Sequence, residues 1–184
     1  MADSVQFSVS CTPVEEISDE NSGTHSILSG EVKTSLGGNG VAAVADYSAT
    51  AAVQGYKDAA VNYKEAPDGG GGEVAISTES TASFIFIKNT GFVFSSATAL
   101  GAVEESRLLK VTANSGAIIL SCLDAGEAIV LKGLQATGTI DASGIKVETV
   151  NSDGSEASGG THLAVEYLVA VSYTHLTLPT NREV

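Results

Sequence analysis

The chain has 184 residues, with 22 Asp+Glu against 9 Lys+Arg and a formal net charge of −13. That is the wrong sign for a protein that neutralises nucleic-acid phosphates or coats an anionic membrane. Hydrophobic residues make up 43% and charged residues only 17%, so the chain carries too much apolar surface to stay disordered throughout. No run approaches the roughly 18 apolar residues of a membrane span, and no basic-then-apolar leader opens the chain. Neither a transmembrane helix nor a secretory leader is therefore expected. The two cysteines, Cys11 and Cys122, are too few for a disulfide framework and read as small buried apolar residues.

Val5, Phe7, Val9 and Cys11 alternate with Gln6, Ser8 and Ser10, which predicts a strand ending near Pro13. Val14–Thr24 is acidic and turn-rich, and Ser26–Leu36 reads as a second strand in which Ile27 and Val32 flank Gly30. Val41–Ala66 is rich in Ala, carries Tyr47, Tyr56 and Tyr63, and is interrupted by Gly55. Short helix and irregular structure both fit it. Residues 1–66 thus form a less regular N-terminal portion, partly helical on one reading. Pro67–Gly72 (PDGGGG) opens a flexible connector at 67–73, the best internal boundary.

From 74 to 171 the pattern is strongly β. Phe84–Ile87 and Phe92–Phe94 flank Lys88-Asn-Thr-Gly91, the signature of a hairpin with a short loop. Leu108–Ala113 and Ala117–Leu123 flank Asn114-Ser-Gly116, a second hairpin signal, and Asp124–Glu127 makes a turn before Ala128–Leu134. Gly144–Val150 and Leu163–Val171 flank the polar loop Asn151–Gly160. Strands recurring about every ten residues predict a mainly β fold, an antiparallel sandwich of jelly-roll type; 1–171 could equally form one domain. Phe84, Ile85, Phe86 and Ile87 leave their strand apolar on both sides. Such a strand is either central and covered twice, or turns its second face to another subunit. These four residues with Phe92 and Phe94 are the candidate assembly face, the alternative being that they fill a monomer's core.

Motifs for chemistry are sparse. Gly38-Asn-Gly40-Val-Ala-Ala43 satisfies G-x-G-x-x-A, with Asp58 at about the right distance for a ribose, but the strands downstream read as antiparallel. A Gly-rich turn is the better reading. Outside the last residues the histidines are His25 and His162, no G-x-S-x-G elbow occurs, and His162 opens an exposed-patterned face as a solvated side chain. The acidic clusters Glu15/Glu16/Asp19/Glu20 and Asn151–Glu156 offer oxygen ligands, but neither has the spacing of a calcium loop. No catalytic, cofactor or metal residue is assigned, and an enzyme is not expected.

Two resemblances add to this. Ser172–Val184 (SYTHLTLPTNREV) resembles a translated sequencing adapter, which implies that 172–184 is a non-native tail of a metagenomic reading frame and that His175 belongs to no site. The runs Phe84–Phe92, Leu123–Leu131 and Ala164–Leu168 resemble small β-sandwich structural proteins of marine tailed bacteriophages, over about Ser77–Val171. That resemblance implies a non-enzymatic virion component made in the bacterial host cytoplasm: a head decoration, fibre or tail accessory. Its expected partners are copies of itself, in a trimer or other closed oligomer, and other virion proteins. The alternative is a carbohydrate-binding or adhesion module presenting the loops Ala136–Gly144 and Asn151–Gly160.

Overall fold

A computed structural model describes residues 3–19, 23–28, 36–44, 53–57, 60–69, 72–133 and 139–171. The tail at 172–184, and Gly30, Val32, Tyr47 and Asp58, lie outside them. The chain divides into two compact units, Val5–Ala42 and, around it in sequence, Met1–Ser4 with Ala43–Val184.

The smaller unit, Val5–Ala42, is built from strands. β1 (Asp3–Cys11) pairs with β4 (Leu36–Val44), and β2 (Val14–Asp19) pairs antiparallel with β3 (Gly23–Leu28). The acidic stretch expected to be turn-rich is therefore one arm of a hairpin, with Val14 opposite Leu28 and Asp19 opposite Gly23. The G-x-G-x-x-A segment is not a phosphate-binding turn but part of β4. A Cβ on Gly40 would stand 2.5 Å from the Phe7 ring. The ring lies over the backbone of Gly40, and any side chain there would have to push its tip aside.

The larger unit opens with four short strands, β5 (Val53–Gln54), β6 (Tyr56–Lys57), β7 (Ala60–Val61) and β8 (Lys64–Ala66). The helical reading of Val41–Ala66 is corrected: its described residues are strands and connections. β9 (Val74–Ala75), β10 (Ala82–Ser96), β11 (Ala99–Val103), β12 (Arg107–Ala113), β13 (Ile118–Leu123) and β14 (Ala128–Lys132) follow. A single 3₁₀ turn at Ala142–Gly144, β15 (Lys146–Asn151) and β16 (Leu163–Val171) complete the unit.

Its two main sheets form a sandwich. In the first, β10 and β16 are the central pair; β14 and β11 lie end to end along the outer edge of β10, and β8 and β5 do the same along β16. The second runs β13-β12-β15-β9. Ile85, Ile87, Val165 and Val169 of the first sheet pack with Leu109, Val111 and Val147 of the second in one buried core. Full burial of such side chains contributes about 1.5–3 kcal/mol each, so this layer holds the unit together.

Lys88-Asn-Thr-Gly91 does not reverse the chain. β10 runs through it as one strand of 15 residues, with a bulge opposite β16 between Asn89 and Val93. The turn-forming residues have a different use. Gly91 takes φ +75°, a conformation open to glycine, and its N–H donates to Asn89 Oδ1 at 3.0 Å. Fully buried Asn89 also donates from Nδ2 to Leu123 O at 3.0 Å. Its backbone N–H donates to Glu127 O, and its carbonyl accepts from Gly126 N. Thr90 Oγ1 donates to Ala164 O at 2.7 Å. The expected hairpin at Asn114–Gly116 does form, joining β12 to β13 with positive φ at Asn114, Ser115 and Gly116.

The two sheets are joined at a corner. β8 pairs with β16 in the first sheet, and the chain then turns so that Pro67 O accepts from Thr149 N of β15 in the second at 2.7 Å. Thr149 Oγ1 donates to Ala66 O at 2.7 Å and accepts from Leu163 N at 3.0 Å. Pro67–Gly69 is therefore held in place, Gly69 N donating to Ala157 O and Asp68 being 6% exposed.

These contacts generate a prediction. Asn89→Leu keeps the branched shape at Cγ but leaves the Leu123 carbonyl and the Gly91 N–H without their partner. Each buried group so stranded costs about 1–3 kcal/mol, and a loss of roughly 2–4 kcal/mol should appear as a lower urea midpoint with an unchanged slope.

Candidate assembly surface

Residues paired across an antiparallel ladder project to the same side of the sheet. Ile85 faces Val169 and Ile87 faces Tyr167 on the core side. Phe84 opposite Ala170, Phe86 opposite Leu168 and Lys88 opposite Glu166 therefore lie on the outer side. The Lys88–Glu166 ion pair, 3.3 Å long with side chains 37% and 33% exposed, marks that side as solvent-facing. Beyond the bulge, Val93 pairs with fully buried Leu163, so Phe92 and Phe94 project outward again. They are flanked by Val103 and Leu100 of β11.

The structure thus splits the six residues of the candidate face. Ile85 and Ile87 are completely buried between the sheets, and Phe84 is buried on the outer side. Phe86, Phe92 and Phe94 are half-buried there. Val130 and Leu168, half-buried beside Phe86, and Val103, 64% exposed beside Phe92, extend this apolar outer face. Ile85 and Ile87 are not available to a partner, because alternation turns them to the core.

A second apolar feature lies on the other sheet. β13 is an edge strand, paired with β12 on one side and with no strand on the other among the described residues. Its Ile118, Ile119 and Leu120 are 53%, 63% and 38% exposed. Cys122 of the same strand is a free, exposed thiol, as is Cys11, so the expectation that both cysteines are buried is corrected. The Ile-Ile-Leu run was visible in the sequence, but its exposure depends on β14 leaving for the first sheet instead of continuing beside β13.

The ionisable groups are drawn into structural pairs. On the outer side of the second sheet Lys110 Nζ lies 2.6 Å from Glu148 Oε2, whose side chain is 6% exposed, and 3.7 Å from Glu73 Oε1. Thr112 Oγ1 donates to Glu73 Oε1 at 3.2 Å. The hydrogen bond to Glu148, more than the nearby carboxylate charges, raises the Lys110 pKa. Hydrogen bonds from Ser106, Ser143 and Ser155 hold the carboxyls of Glu104, Asp141 and Asp153 below their ordinary values. His162 is not simply solvated: its Nδ1 contacts Glu65 Oε1, and its Nε2 lies 3.7 Å from Asp68 Oδ1. Asp68 Oδ2 accepts from Gly160 N at 2.6 Å and so ties down the end of the 151–160 loop. Within that loop Asn151 donates to Ser155 Oγ and to Glu156 O, each at 2.9 Å. Arg107 donates to Asn151 Oδ1 and Ser158 O.

Among the described residues no group of His, Cys, Asp and Glu is arranged to hold a metal ion. An open depression of 450 Å³ in the smaller unit is lined by Gln6, Phe7, Ser8, Asn39, Gly40 and Val41 and bears no ionisable side chain. Comparison with protein-family models, curated proteins and solved structures finds no match to this chain.

The Lys110–Glu148 pair gives a second prediction. Lys110→Met strands a buried carboxylate and should cost about 3 kcal/mol, the low end for breaking a buried pair because Lys110 keeps some solvent contact. Lys110 binds its proton more tightly in the folded state, so the pair's contribution is complete below the unfolded pKa of 10.5. It disappears as pH rises through the higher folded value. Urea midpoints of the wild type should fall over that alkaline range more steeply than those of Lys110→Met.

Proposed function

We propose that the protein is a non-enzymatic structural component of a virion, a head decoration, fibre or tail accessory, that works by packing its β-sheets against further copies of itself and other virion proteins. The observation that carries this reading is the outer face of β10. Phe86, Phe92 and Phe94 stand half-buried there, between Leu168, Val130 and Leu100, with Val103 open to solvent. Aromatic side chains of this kind dominate the energetics of protein contacts. The ionic groups paired in register within this stretch are Lys88 and Glu166, which compensate each other, and exposed Lys132 opposite Phe84.

The charge supports the same reading. At −13 the chain repels nucleic acid, which suits the outside of a particle, and it keeps exposed copies soluble. The resemblance of Phe84–Phe92, Leu123–Leu131 and Ala164–Leu168 to phage β-sandwich proteins points the same way. The adhesion reading is less well supported, because polar groups of the 151–160 loop are engaged in bonds within the loop and to Arg107.

The test is the mass of the full chain in solution, by light scattering after size exclusion over a range of concentrations, and co-sedimentation with purified tailed-phage capsids. A closed oligomer is expected, and Phe92→Thr should weaken it at least about tenfold while leaving the urea midpoint nearly unchanged. Ile85→Ala should do the reverse, lowering stability by roughly 2–5 kcal/mol. A chain that stays monomeric at every concentration and ignores capsids would overturn the proposal.

A further inference from the structure

We infer that β13 is a homotypic pairing strand: its free edge takes β13 of a second copy of this chain, antiparallel and about a twofold axis, extending the second sheet across two subunits. The inference rests on the assembly reading above but concerns a different surface, on the opposite sheet from Phe92.

An edge strand leaves a row of backbone N–H and C=O groups facing outward, a ready template for another strand. Proteins that keep an edge unpaired commonly guard it with Lys, Pro or an inward charge. β13 carries neither a charge nor a proline, Ile118–Leu123 reading Ile-Ile-Leu-Ser-Cys-Leu, and its one irregularity is a bulge that leaves Leu120 unpaired between the partners of Val111 and Thr112. Ile118 opposite Ala113 and Ile119 opposite Thr112 lie on opposite faces of the sheet, and both are more than half exposed, with Leu120 at the bulge 38% exposed. Both faces of the strand are therefore open, as well as its edge. An added strand would bury apolar surface on each face while satisfying the backbone.

Charge and symmetry select the occupant. A basic partner would be drawn to the carboxylates of a chain carrying −13, and an uncharged aliphatic strand offers it nothing. For two copies of that same chain the situation is the opposite. Like charge opposes their approach elsewhere, and the neutral strand is where contact meets least repulsion. An antiparallel pair of identical strands is self-complementary about a twofold axis, so one patch serves both subunits and the contact closes. A contact of a single short strand is small, which places its affinity in the roughly micromolar-to-millimolar range. Repetition within a larger assembly strengthens it by avidity.

The experiment uses the full chain, its Ile119→Lys and Ile119→Glu variants and an equimolar mixture of the two, followed by sedimentation velocity over about 10–500 µM. Far-ultraviolet circular dichroism and the urea midpoint report folding. Each charged variant should dimerise at least about tenfold less well than wild type, and the mixture should recover association, because its heterodimers bring opposite charges to the shared edge in place of like ones. Hydrogen exchange on the wild type gives a readout independent of mutation: amides of Ile118–Leu123 should become more protected as concentration rises. Protection that does not change with concentration, or folded variants that associate as well as wild type, overturns the β13 contact. In that case association that still responds to Phe92→Thr leaves the assembly reading standing. A wild type that is monomeric throughout removes both.

Discussion

The first sheet depends on how one buried asparagine resolves a conflict of strand lengths. β10 is 15 residues long, but the strands along its outer edge are short, β14 serving Phe84–Lys88 and β11 serving Phe92–Ser96. Where one ends and the other begins, backbone groups in the middle of a sheet would lose their partners, and a buried unpaired amide is costly. Asn89 fills that gap with all of its polar groups: main-chain bonds to Gly126 and Glu127, side-chain bonds to Leu123 and Gly91. It thereby pins the turn that brings the chain from β13 to β14. Without it, the alignment of β14 with β10 and the path of the chain from the second sheet back to the first would both lose their anchor.

The same register decides what each face of the unit can do. Once Asn89 sits opposite Val165, and Ile87 opposite Tyr167, the period of two fixes every other residue of the strand. The isoleucines must enter the core and the phenylalanines must leave it. A half-wet strand would carry polar residues at those outward positions; this one carries Phe84, Phe86, Phe92 and Phe94 on the side of the Lys88–Glu166 pair. Thr149 provides the second constraint. Its hydroxyl serves Ala66 of β8 and Leu163 of β16 while its own strand belongs to the other sheet. The sandwich is thus closed by side-chain and main-chain hydrogen bonds at a corner as well as by the apolar layer.

Much of this was legible in the residues. The alternation of Leu163–Val171 and the Asn114-Ser-Gly116 turn each announced the element that forms, and turn signals spaced along 74–171 announced a mainly β unit. What misled was local chemistry with more than one use. Asn-Thr-Gly is the vocabulary of a hairpin, but here the same residues make a bulge, because Asn89 finds its acceptor at Leu123, 34 residues away. The alanines of Val41–Ala66 favour a helix in isolation, yet Lys64–Ala66 are claimed by the edge of β16. The sequence also held every residue of the outer face but not its division, since register against β16 alone separates Ile85 from Phe86. The exposure of Cys122 and of Ile118–Leu120 was hidden for a related reason. Both follow from β13 ending its sheet, and that follows from β14 pairing with β10.

The distribution of charge joins these observations. Carboxylates of the sandwich lie against lysines, Glu148 and Glu73 sharing Lys110 and Glu166 paired with Lys88. Asp141 and Asp153 stay ionised at the surface, held by neighbouring serines. Apolar exposure in the larger unit falls on the outer face of β10, beside the Lys88–Glu166 pair and Lys132, and on the uncharged edge strand β13. Two copies of a strongly acidic chain are screened from each other beyond about a Debye length of 8–10 Å and repel inside it, so close contact is least opposed where the surface carries no charge. In the proposed assembly these are the surfaces on which two acidic copies would meet with the least electrostatic cost.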